Sequence, residues 1–328
     1  MDRATDFIHN YSSQIQPYLP YVVVPLGIYS VYKVLCRLIP GPHHQQRLVL
    51  RDKTVLITGA SSGLGRALAF EFYKKGAKLI LTARSLDKLE ALCDELEQAG
   101  KSYGWKNPHK PVFRYLDLAD LNGASASQLD DLRQQSIDGR TIDVLVNNAG
   151  QSVRGSCIDT PISVHKQLMD VNYFGHVAVT KNLIDAIPDD GAIVVIGSMQ
   201  GKIAVPYRSA YNASKHALQA YFDSLRSEDR PNLQILTVSA GYINTGMGAR
   251  ALGPDGRPMG TEDPNQKAGM SPDHVAQSIV EGLSDRKTEL ILAPFVHKLA
   301  ILMRIFTPNL LYWMMYRRGR NDPHRKME

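Results

Sequence analysis

The sequence contains few cysteines and no repeated or low-complexity segments. Three cysteines, Cys36, Cys93 and Cys157, occur among 328 residues, and their wide separation excludes the close pairs typical of metal and redox sites. We therefore interpret them as reduced thiols and predict no metal site. The absence of repeats excludes a solenoid. With 44% hydrophobic and 21% charged residues, the composition is typical of one sizeable folded core with extensions.

Positive charge exceeds negative charge, with a formal net charge of +6. Basic residues in such excess bind either nucleic acid or the headgroups of membrane lipids. Here several of them flank an apolar segment near the C-terminus: Arg317, Arg318, Arg320, Arg325 and Lys326. This placement is typical of contact with headgroups. We therefore expect membrane lipid, and not nucleic acid, as a partner.

The N-terminal region contains an uncharged apolar stretch. Residues 18–32 carry no charge, and the stretch reaches the roughly 20 residues of a spanning helix if Lys33 and Arg37 extend to the headgroups. Its charge lies mainly after the apolar part, unlike that of a cleavable signal peptide. The pattern predicts an uncleaved anchor and linker over residues 1–42. Because Pro25 lies inside it, a helix that covers a groove on the enzyme is the alternative.

Short apolar runs alternate with helical patterns across residues 43–292. The predicted strands read KTVLIT, KLILTA, PVFRYLD, IDVLVNN, GAIVVIG, LQILTVS and ELIL. Strands that are apolar on both faces and alternate with helices indicate a parallel sheet covered on each side. The fold class is therefore α/β, a doubly wound Rossmann sheet in one catalytic domain. Residues 246–270, rich in Gly and Pro, are expected to form a loop or lid, and residues 272–284 a helix.

The last segment, residues 293–328, is hydrophobic and ends in a basic tail. His297, Lys298, Arg304 and Pro308 interrupt its apolar residues, so a clean membrane span is not expected. We predict amphipathic helices that lie in a membrane interface. The alternative is helices packed on their own domain, which is nearly as well supported for the first half and less so for the aromatic and Met-rich end.

Two motifs are typical of a nucleotide-binding enzyme. Thr58-Gly59-Ala60-Ser61-Ser62-Gly63-Leu64-Gly65 follows an apolar strand and precedes a helical pattern, where glycines let phosphate groups approach a helix N-terminus. Tyr211 and Lys215 are four residues apart in a helical pattern and therefore share one face. An ammonium group beside a phenol favours phenolate, so we expect Lys215 to lower the pKa of Tyr211.

The glycine spacing resembles that of the short-chain dehydrogenase/reductase family, and other family motifs follow in order from about Lys53 to Leu292. The resemblance implies a catalytic tetrad of Asn172, Ser198, Tyr211 and Lys215. Tyr211 would protonate a carbonyl oxygen as hydride arrives, and Ser198 would hydrogen-bond the same oxygen. Asn172 would hold a water linked to Lys215.

The same resemblance implies a nicotinamide cofactor. Its predicted contacts are Gly59, Ser61, Ser62, Gly63, Leu64, Gly65, Arg84, Asp117, Asn148, Ala149, Gly150, Tyr211, Lys215 and Thr245. NAD-specific relatives usually carry an acidic residue after the second strand, where this chain has Ala83 and Arg84. Arg84, together with Ser61, can bind a 2′-phosphate, so we predict NADPH as cofactor and reduction as the reaction. The alternative is that Arg84 lies in solvent beside the following helix.

The resemblance extends to membrane-associated members of the family. It implies an enzyme of the endoplasmic reticulum or peroxisomal membrane that reduces a lipophilic carbonyl, such as acyl- or alkyl-dihydroxyacetone phosphate, a steroid or retinal. A cationic rim of Arg154, Lys202 and Arg208 would favour the phosphorylated lipid, although for any one of them a solvated surface charge is the better-supported interpretation. Alternatives are oxidation of a hydroxysteroid with NADP, and a non-catalytic nucleotide-binding scaffold. A homodimer is left open.

Charges around the N-terminal segment predict its orientation. The basic residues nearest to it lie mainly on its C-terminal side: Lys33, Arg37, Arg47, Arg51 and Lys53. Under the positive-inside rule this flank stays in the cytosol. The catalytic domain is therefore expected on the cytosolic side.

Overall fold

A parallel sheet forms the centre of the molecule. The computed structural model describes residues 16–103, 109–121, 124–137 and 142–322. Within these residues the strands are β1 (Thr54–Thr58), β2 (Lys78–Ala83), β3 (Val112–Tyr115), β4 (Val144–Asn147), β5 (Ala192–Ile196), β6 (Gln234–Ala240) and β7 (Glu289–Leu292). They all run parallel, in the order β3-β2-β1-β4-β5-β6-β7. The predicted doubly wound α/β fold is confirmed.

Helices surround this sheet and extend beyond it. They are α1 (Leu19–Leu38), α2 (Gly63–Lys74), α3 (Leu86–Ser102), α4 (Ala124–Ile137), α5 (Ile162–Met169), α6 (Gly175–Leu183), α7 (Ser209–Leu225), α8 (Pro264–Lys267), α9 (Pro272–Ser284), α10 (Phe295–Phe306) and α11 (Pro308–Arg320). Short 3₁₀ turns occur at Pro42–His44, Ile184–Ala186 and Met199–Gly201, and a π-helical turn, Asp170–Phe174, joins α5 to α6.

The alternation of side chains along the strands divides the core into two layers. Val55 and Ile57 of β1 pack in the layer formed with α2, α3 and α9, whereas Leu56 packs in the layer formed with α4, α6 and α7. The same period of two holds in β4 and β5. Because both faces are covered, the central strands are predominantly apolar, which explains their hydrophobic runs in the sequence.

The strand order reverses beside β1, and this reversal positions the site. The chain runs from β1 outwards to β3 and then crosses to β4 on the other side of β1. At such a switch point the loops after the two central strands diverge and leave a crevice at their carboxyl ends. Residues that follow β1, β2, β3, β4, β5 and β6 line one cavity there.

Residues 246–270, which lie in the connection from β6 to α9, are called the lid below. The lid is attached to the domain by a β-bridge between Leu252 and Val153. Its short helix α8 begins after Asp263, whose carboxylate accepts a hydrogen bond from the backbone N–H of Asn265 at 3.0 Å. The lid was expected from its composition, whereas these attachments were not.

Helix α1 is exposed along its whole length. None of its 20 residues is buried, and by length and composition the helix is able to cross a membrane. The alternative of a helix that covers a groove on the enzyme is therefore wrong. Residues 1–15 lie outside the described part of the chain. The domain limits at 42 and 292 stay predictions.

Helices α10 and α11, called the roof below, pack on the catalytic domain through one face. Ala300 and Leu311 are buried in a cluster with Ile203, and Met303 and Met315 pack against it. Both halves of the C-terminal segment therefore pack on their own domain. This includes the Met-rich end, for which the sequence supported such packing less well. The opposite face exposes large side chains, among them Phe295, Leu302, Ile305, Phe306, Tyr312, Trp313 and Tyr316. The basic residues Arg325 and Lys326 lie outside the described residues.

Candidate active site

Glycines shape the loop between β1 and α2. Gly59 and Gly63 have φ values of 66° and 56°, which residues with side chains rarely adopt. A Cβ on Gly65 would collide with the Gly59 carbonyl oxygen and would lie 2.5 Å from Nδ2 of Asn148. A Cβ on Gly63 would lie 2.9 Å from Cβ of Thr245. The N-terminus of α2 therefore faces the cavity without an intervening side chain, and its backbone N–H groups are placed to bind phosphate.

Asn148 attaches this loop to the end of β4. Its Nδ2 donates to the carbonyl oxygens of Thr58 and Gly59 at 2.9 and 3.2 Å. In return the Thr58 hydroxyl accepts hydrogen bonds from the backbone N–H groups of Asn148 and Ala149 at 3.0 and 3.2 Å. The two sides of the switch-point crevice are thus held together by hydrogen bonds to the backbone.

His176 of α6 supports the same motif from behind. Its ring nitrogens lie 3.1 Å from Oδ1 of Asn147 and 2.8 Å from the carbonyl oxygen of Ala149. Burial lowers the pKa of His176 to about 3, so the imidazole is neutral at physiological pH. The sequence analysis missed this residue, because a single histidine in a helical pattern gives no signal.

Ser198, Tyr211 and Lys215 meet beyond the carboxyl end of β5. Tyr211 and Lys215 are one turn apart on α7, and Nζ of Lys215 lies 5.9 Å from the centroid of the Tyr211 ring. The ammonium group donates to the carbonyl oxygen of Ile196 at 2.9 Å. Oγ of Ser198 accepts from the backbone N–H of Gln200 at 3.1 Å, which leaves its hydroxyl hydrogen for another acceptor.

Burial dominates the titration of Tyr211 and Lys215. It raises the pKa of Tyr211 above its ordinary value, and the groups that act to lower this pKa are the Ser198 hydroxyl and the guanidinium groups of Arg154 and Arg208. Burial also lowers the pKa of Lys215 to about 8. The expectation that Lys215 brings the pKa of Tyr211 below its ordinary value is therefore wrong in this structure. The phenol is held as an acid.

Asn172 lies behind the cavity, in the π-helical turn. Its Oδ1 accepts from the backbone N–H of Gln151 at 2.8 Å, and its Nδ2 donates to the Gln151 carbonyl oxygen and to Oγ of Ser214, both at 2.9 Å. A Cβ on Gly150 would lie 3.3 Å from Oδ1 of Asn172 and 3.7 Å from Nζ of Lys215. Asn172 therefore ties the loop after β4 to α7. The water that it is predicted to hold stays a prediction.

Cationic side chains lie at the end of the cavity beside β2. Arg84 follows β2, and Lys88 lies one turn further along, in α3. Both are exposed, and neither has a hydrogen-bond or ion-pair partner among the described residues. Ser61 and Asp117 line the cavity with them. The sequence analysis missed Lys88, although its spacing of four from Arg84 in a helical pattern indicates a shared face.

One cavity of about 690 Å³ joins all these groups. Every predicted site residue except Asn172 lines it: Gly59, Ser61, Ser62, Gly63, Leu64, Gly65, Arg84, Asp117, Asn148, Ala149, Gly150, Ser198, Tyr211, Lys215 and Thr245. A further part of its wall, which the sequence analysis did not assign, comes from the lid and the roof. That part includes Met247 and Pro258 of the lid and Met303, Leu311, Met314 and Met315 of the roof.

The predicted cationic rim for a substrate phosphate does not form. Arg154 and Arg208 both donate to Oδ2 of Asp263, at 3.0 and 2.9 Å, and their side chains are only 4% and 2% exposed. Lys202 forms an ion pair with Glu289 at 2.8 Å. All three charges are compensated within the protein. The alternative, solvated surface charges, is wrong for the two arginines because both are buried.

Known proteins are similar in sequence to this chain over most of its length. The sequence model described as short chain dehydrogenase matches residues 53–253. Dehydrogenase/reductase SDR family member 7B of Xenopus tropicalis is 41% identical over 92% of this chain and 95% of its own length. The Mus musculus protein of the same name is 39% identical over 93% of this chain and 91% of its own length. The predicted resemblance is confirmed.

Solved structures share the fold at lower identity. The alcohol dehydrogenase of Thermococcus sibiricus, complexed with 5-hydroxy-NADP, matches with a TM-score of 0.61 and 24% identity over 74% of this chain and 96% of its own. A short chain dehydrogenase/reductase of Burkholderia phymatum, in complex with NAD, matches with a TM-score of 0.65 and 20% identity over 80% of this chain and 96% of its own. From its fold, its motifs and its relatives, the chain belongs to the short-chain dehydrogenase/reductase family of oxidoreductases.

Proposed function

We propose that this protein is an NADPH-dependent reductase of a lipophilic carbonyl compound. The observation that carries the proposal is the apolar wall that the roof adds to the cavity of Tyr211 and Ser198, through Met303, Leu311 and Met315. Such a wall stabilises a bound apolar chain or ring by about 25 cal/mol for each Å² removed from water. Acyl- or alkyl-dihydroxyacetone phosphate, steroid ketones and retinal have apolar surface of this kind.

Each polar side chain of the site has its own role in carbonyl reduction. Tyr211, kept protonated by burial, donates its proton to the carbonyl oxygen. Ser198 donates its hydroxyl hydrogen to the same oxygen, since its own oxygen is already engaged by Gln200. The ammonium group of Lys215 donates one hydrogen bond to the carbonyl oxygen of Ile196. Its other protons would bind the ribose of the cofactor, as the family resemblance implies. The nicotinamide cofactor supplies the hydride.

The residues at the cofactor end fit NADPH. The glycine loop offers backbone N–H groups to the pyrophosphate, and no acidic residue follows β2 to repel a 2′-phosphate. Arg84 and Lys88 are exposed cations on this side of the cavity without partners among the described residues, so both are able to bind an anion. Solved structures of similar fold hold NAD or NADP.

A panel of lipid carbonyls tests the reaction. Purified full-length protein in detergent is incubated with NADPH and, separately, with a steroid ketone, retinal and alkyl-dihydroxyacetone phosphate, and the loss of nicotinamide absorbance is followed. We expect turnover with at least one of them and little with small hydrophilic ketones, because these leave the apolar wall uncovered. Equal turnover of dihydroxyacetone and the lipid carbonyls would contradict a lipophilic substrate.

Replacement of Arg84 by aspartate is expected to shift cofactor preference from NADPH towards NADH. The change removes a partner of the 2′-phosphate and introduces an acceptor for ribose hydroxyls. Since hydrogen bonds to charged groups contribute roughly 1.5–3 kcal/mol, the ratio of kcat/KM values should move by about tenfold to a hundredfold. The control is Arg51→Asp, which makes the same charge change just before β1. Arg51 therefore lies near the amino ends of the strands, away from the cavity at their carboxyl ends. An unchanged ratio in Arg84→Asp would remove Arg84 from this role.

We further propose that the protein is bound to the endoplasmic reticulum or peroxisomal membrane with its catalytic domain in the cytosol. Helix α1 would be the anchor, because none of its apolar residues is buried. The exposed face of the roof would lie in the interface, where Arg304, Arg317 and Arg320 stack over the aromatic rings of Tyr312, Trp313 and Tyr316. Aromatic and basic side chains together are typical of the headgroup level.

Removal of residues 1–40 is expected to weaken membrane attachment. In carbonate extraction most of the full-length chain should stay with the membrane, whereas most of the truncated chain should be released, because the interfacial contact of the roof holds less strongly than a spanning helix. Protease added to sealed microsomes should digest the catalytic domain of the full-length protein without detergent. Full protection until detergent is added would contradict the cytosolic orientation, and equal extraction of both chains would contradict the anchor.

A further inference from the structure

A buried charge cluster lies beside the catalytic tyrosine. Arg154, Arg208 and Asp263, called the arginine cluster below, come from the loop after β4, the start of α7 and the lid. Both guanidinium groups donate to the same oxygen, Oδ2 of Asp263. Arg208 also approaches Asp322, beyond the end of α11, at 3.5 Å. One carboxylate therefore ties the lid to the catalytic helix.

The arginine cluster is unfavourable as a purely structural device. Burial of two guanidinium groups has a large desolvation cost, which an ion pair only partly offsets. Arg208 is moreover the residue that caps the N-terminus of α7, where the positive end of the helix dipole disfavours a cation. Burial and then the neighbouring Arg208 lower the pKa of Arg154. Such local conflicts in an otherwise consistent fold are typical of functional sites.

The cluster faces the phenol of Tyr211. Tyr211 lies one turn after Arg208, in the first turn of α7, and packs in a hydrophobic cluster with Val153 and Leu252. Val153 directly precedes Arg154, and Arg154 lines the cavity with Tyr211. The backbone N–H of Arg154 donates to the carbonyl oxygen of Leu252 at 2.7 Å, so the lid and Arg154 are fixed relative to each other and to the phenol.

The charge of the cluster does not vary over the pH range in which the enzyme works. Burial by itself would raise the pKa of Asp263, but Arg154 and Arg208 lower it to about 2. The carboxylate is therefore ionised in this range and keeps its hydrogen bonds to both guanidinium groups. Both arginines favour the phenolate form of Tyr211 and so oppose the effect of its burial.

We propose that Arg154, Arg208 and Asp263 form a positioning unit, in which the carboxylate of the lid holds two guanidinium groups beside the catalytic phenol and so assists its proton transfer. The proposal rests on the proton-donor role of Tyr211 in the proposed function. It adds to the tetrad three residues that act through Tyr211, and it makes proton transfer depend on a contact of the lid.

The other polar groups around Tyr211 do not duplicate this effect. Ser198 faces the phenol after β5, Lys215 lies on the same helix, and Tyr242 follows β6 with its hydroxyl bound by Arg318 of the roof at 2.6 Å. His176 faces Lys215. The charged or titratable groups of α5 and the adjoining π-helical turn do not line the cavity: His165, Lys166, Asp170 and Tyr173. Arg250 of the lid and Arg318 of the roof also line the cavity, but the guanidinium groups that act on the titration of Tyr211 are those of Arg154 and Arg208. A variant can remove either of these two without touching the tetrad.

A difference titration tests the proposal without a substrate. The near-ultraviolet absorbance of tyrosinate is recorded against pH for the full-length protein with saturating NADP⁺, and the curve of Tyr211→Phe is subtracted to leave the titration of Tyr211. The same subtraction is made in each variant background. Arg154→Met should raise the midpoint by about one pH unit, because one nearby positive charge is lost. Arg154→Lys should keep most of the original midpoint, and Asp263→Asn should lower it.

Arg154→Met and Asp263→Asn are expected to shift the titration midpoint in opposite directions, which a purely structural role of the cluster would not produce. Arg286→Met is the matched control, since Arg286 is also buried but bonds to the carbonyl oxygen of Asp190 and to Gln234 at the amino ends of β5 and β6. It should lower the unfolding temperature and leave the midpoint unchanged. A folded Arg154→Met variant with the original midpoint, or an equal shift in Arg154→Lys, would overturn the proposal. Failure of all lipid carbonyls to oxidise NADPH would instead count against the proposed function.

Discussion

Replacement of Tyr211 by phenylalanine is expected to lower kcat for carbonyl reduction by about 10²- to 10⁴-fold, the usual contribution of a general acid. The change removes the transferable proton and leaves the ring, which packs with Val153 and Leu252 in its hydrophobic cluster. Binding of NADPH, measured by quenching or enhancement of its fluorescence, should stay within a few-fold of the original value. Lys215 keeps its hydrogen bond to Ile196 in this variant, since that contact does not involve the phenol.

Tyr221→Phe is the matched control for this experiment. Tyr221 lies on the same helix and loses the same hydroxyl group, but it packs against the core layer of α4, α6 and α7 and does not line the cavity. It should retain normal turnover. If Tyr211→Phe kept its activity with an unchanged unfolding temperature, another group would have to supply the proton and the mechanism above would be refuted.

Replacement of Gly65 by alanine is expected to weaken cofactor binding by about tenfold to a hundredfold. The new methyl group would collide with the Gly59 carbonyl oxygen and with Nδ2 of Asn148, both of which belong to the phosphate-binding turn. Overpacking of this kind costs roughly 1–3 kcal/mol, and about 1.4 kcal/mol corresponds to a tenfold change in affinity. The loop must move to relieve the contact, and its N–H groups then turn away from the pyrophosphate. Titration with NADPH measures the effect.

Gly27→Ala is the control for a glycine in a helix. No atom lies within 4 Å of a Cβ built on Gly27, so the substitution should leave cofactor binding unchanged and favour helix α1 slightly. Normal NADPH affinity in a folded Gly65→Ala variant would show that the turn tolerates a side chain and does not hold the phosphates as inferred.

The sheet could be predicted because the strands contain short runs of apolar residues that are typical of buried strands. β1, β2, β5 and β6 are rich in apolar residues, and α9 begins at Pro272 and ends at Ser284 as predicted, since proline favours the first turn of a helix. The limits of β3 were less accurate: the predicted run PVFRYLD contains only four strand residues, Val112–Tyr115. It is the edge strand and is half-buried, so the hydrophobic pattern there is weak.

The site was predictable where it depends on local spacing. The glycine turn and the pair Tyr211 and Lys215 each lie within eight residues, so their geometry follows from the backbone. The arginine cluster was not predictable, because Arg154 and Asp263 are 109 residues apart and only the fold brings them together. The same is true of the roof, whose amphipathic pattern fits a membrane interface and a cavity wall equally well. In the structure its inner face covers the cavity and its outer face is exposed.

The position of the roof in the chain has a consequence for biosynthesis. The glycine loop at residues 59–65 is synthesised well before Met303, Leu311 and Met315. Since domains generally fold from the N-terminus during synthesis, the nucleotide half of the cavity is able to form on the growing polypeptide before its apolar wall exists.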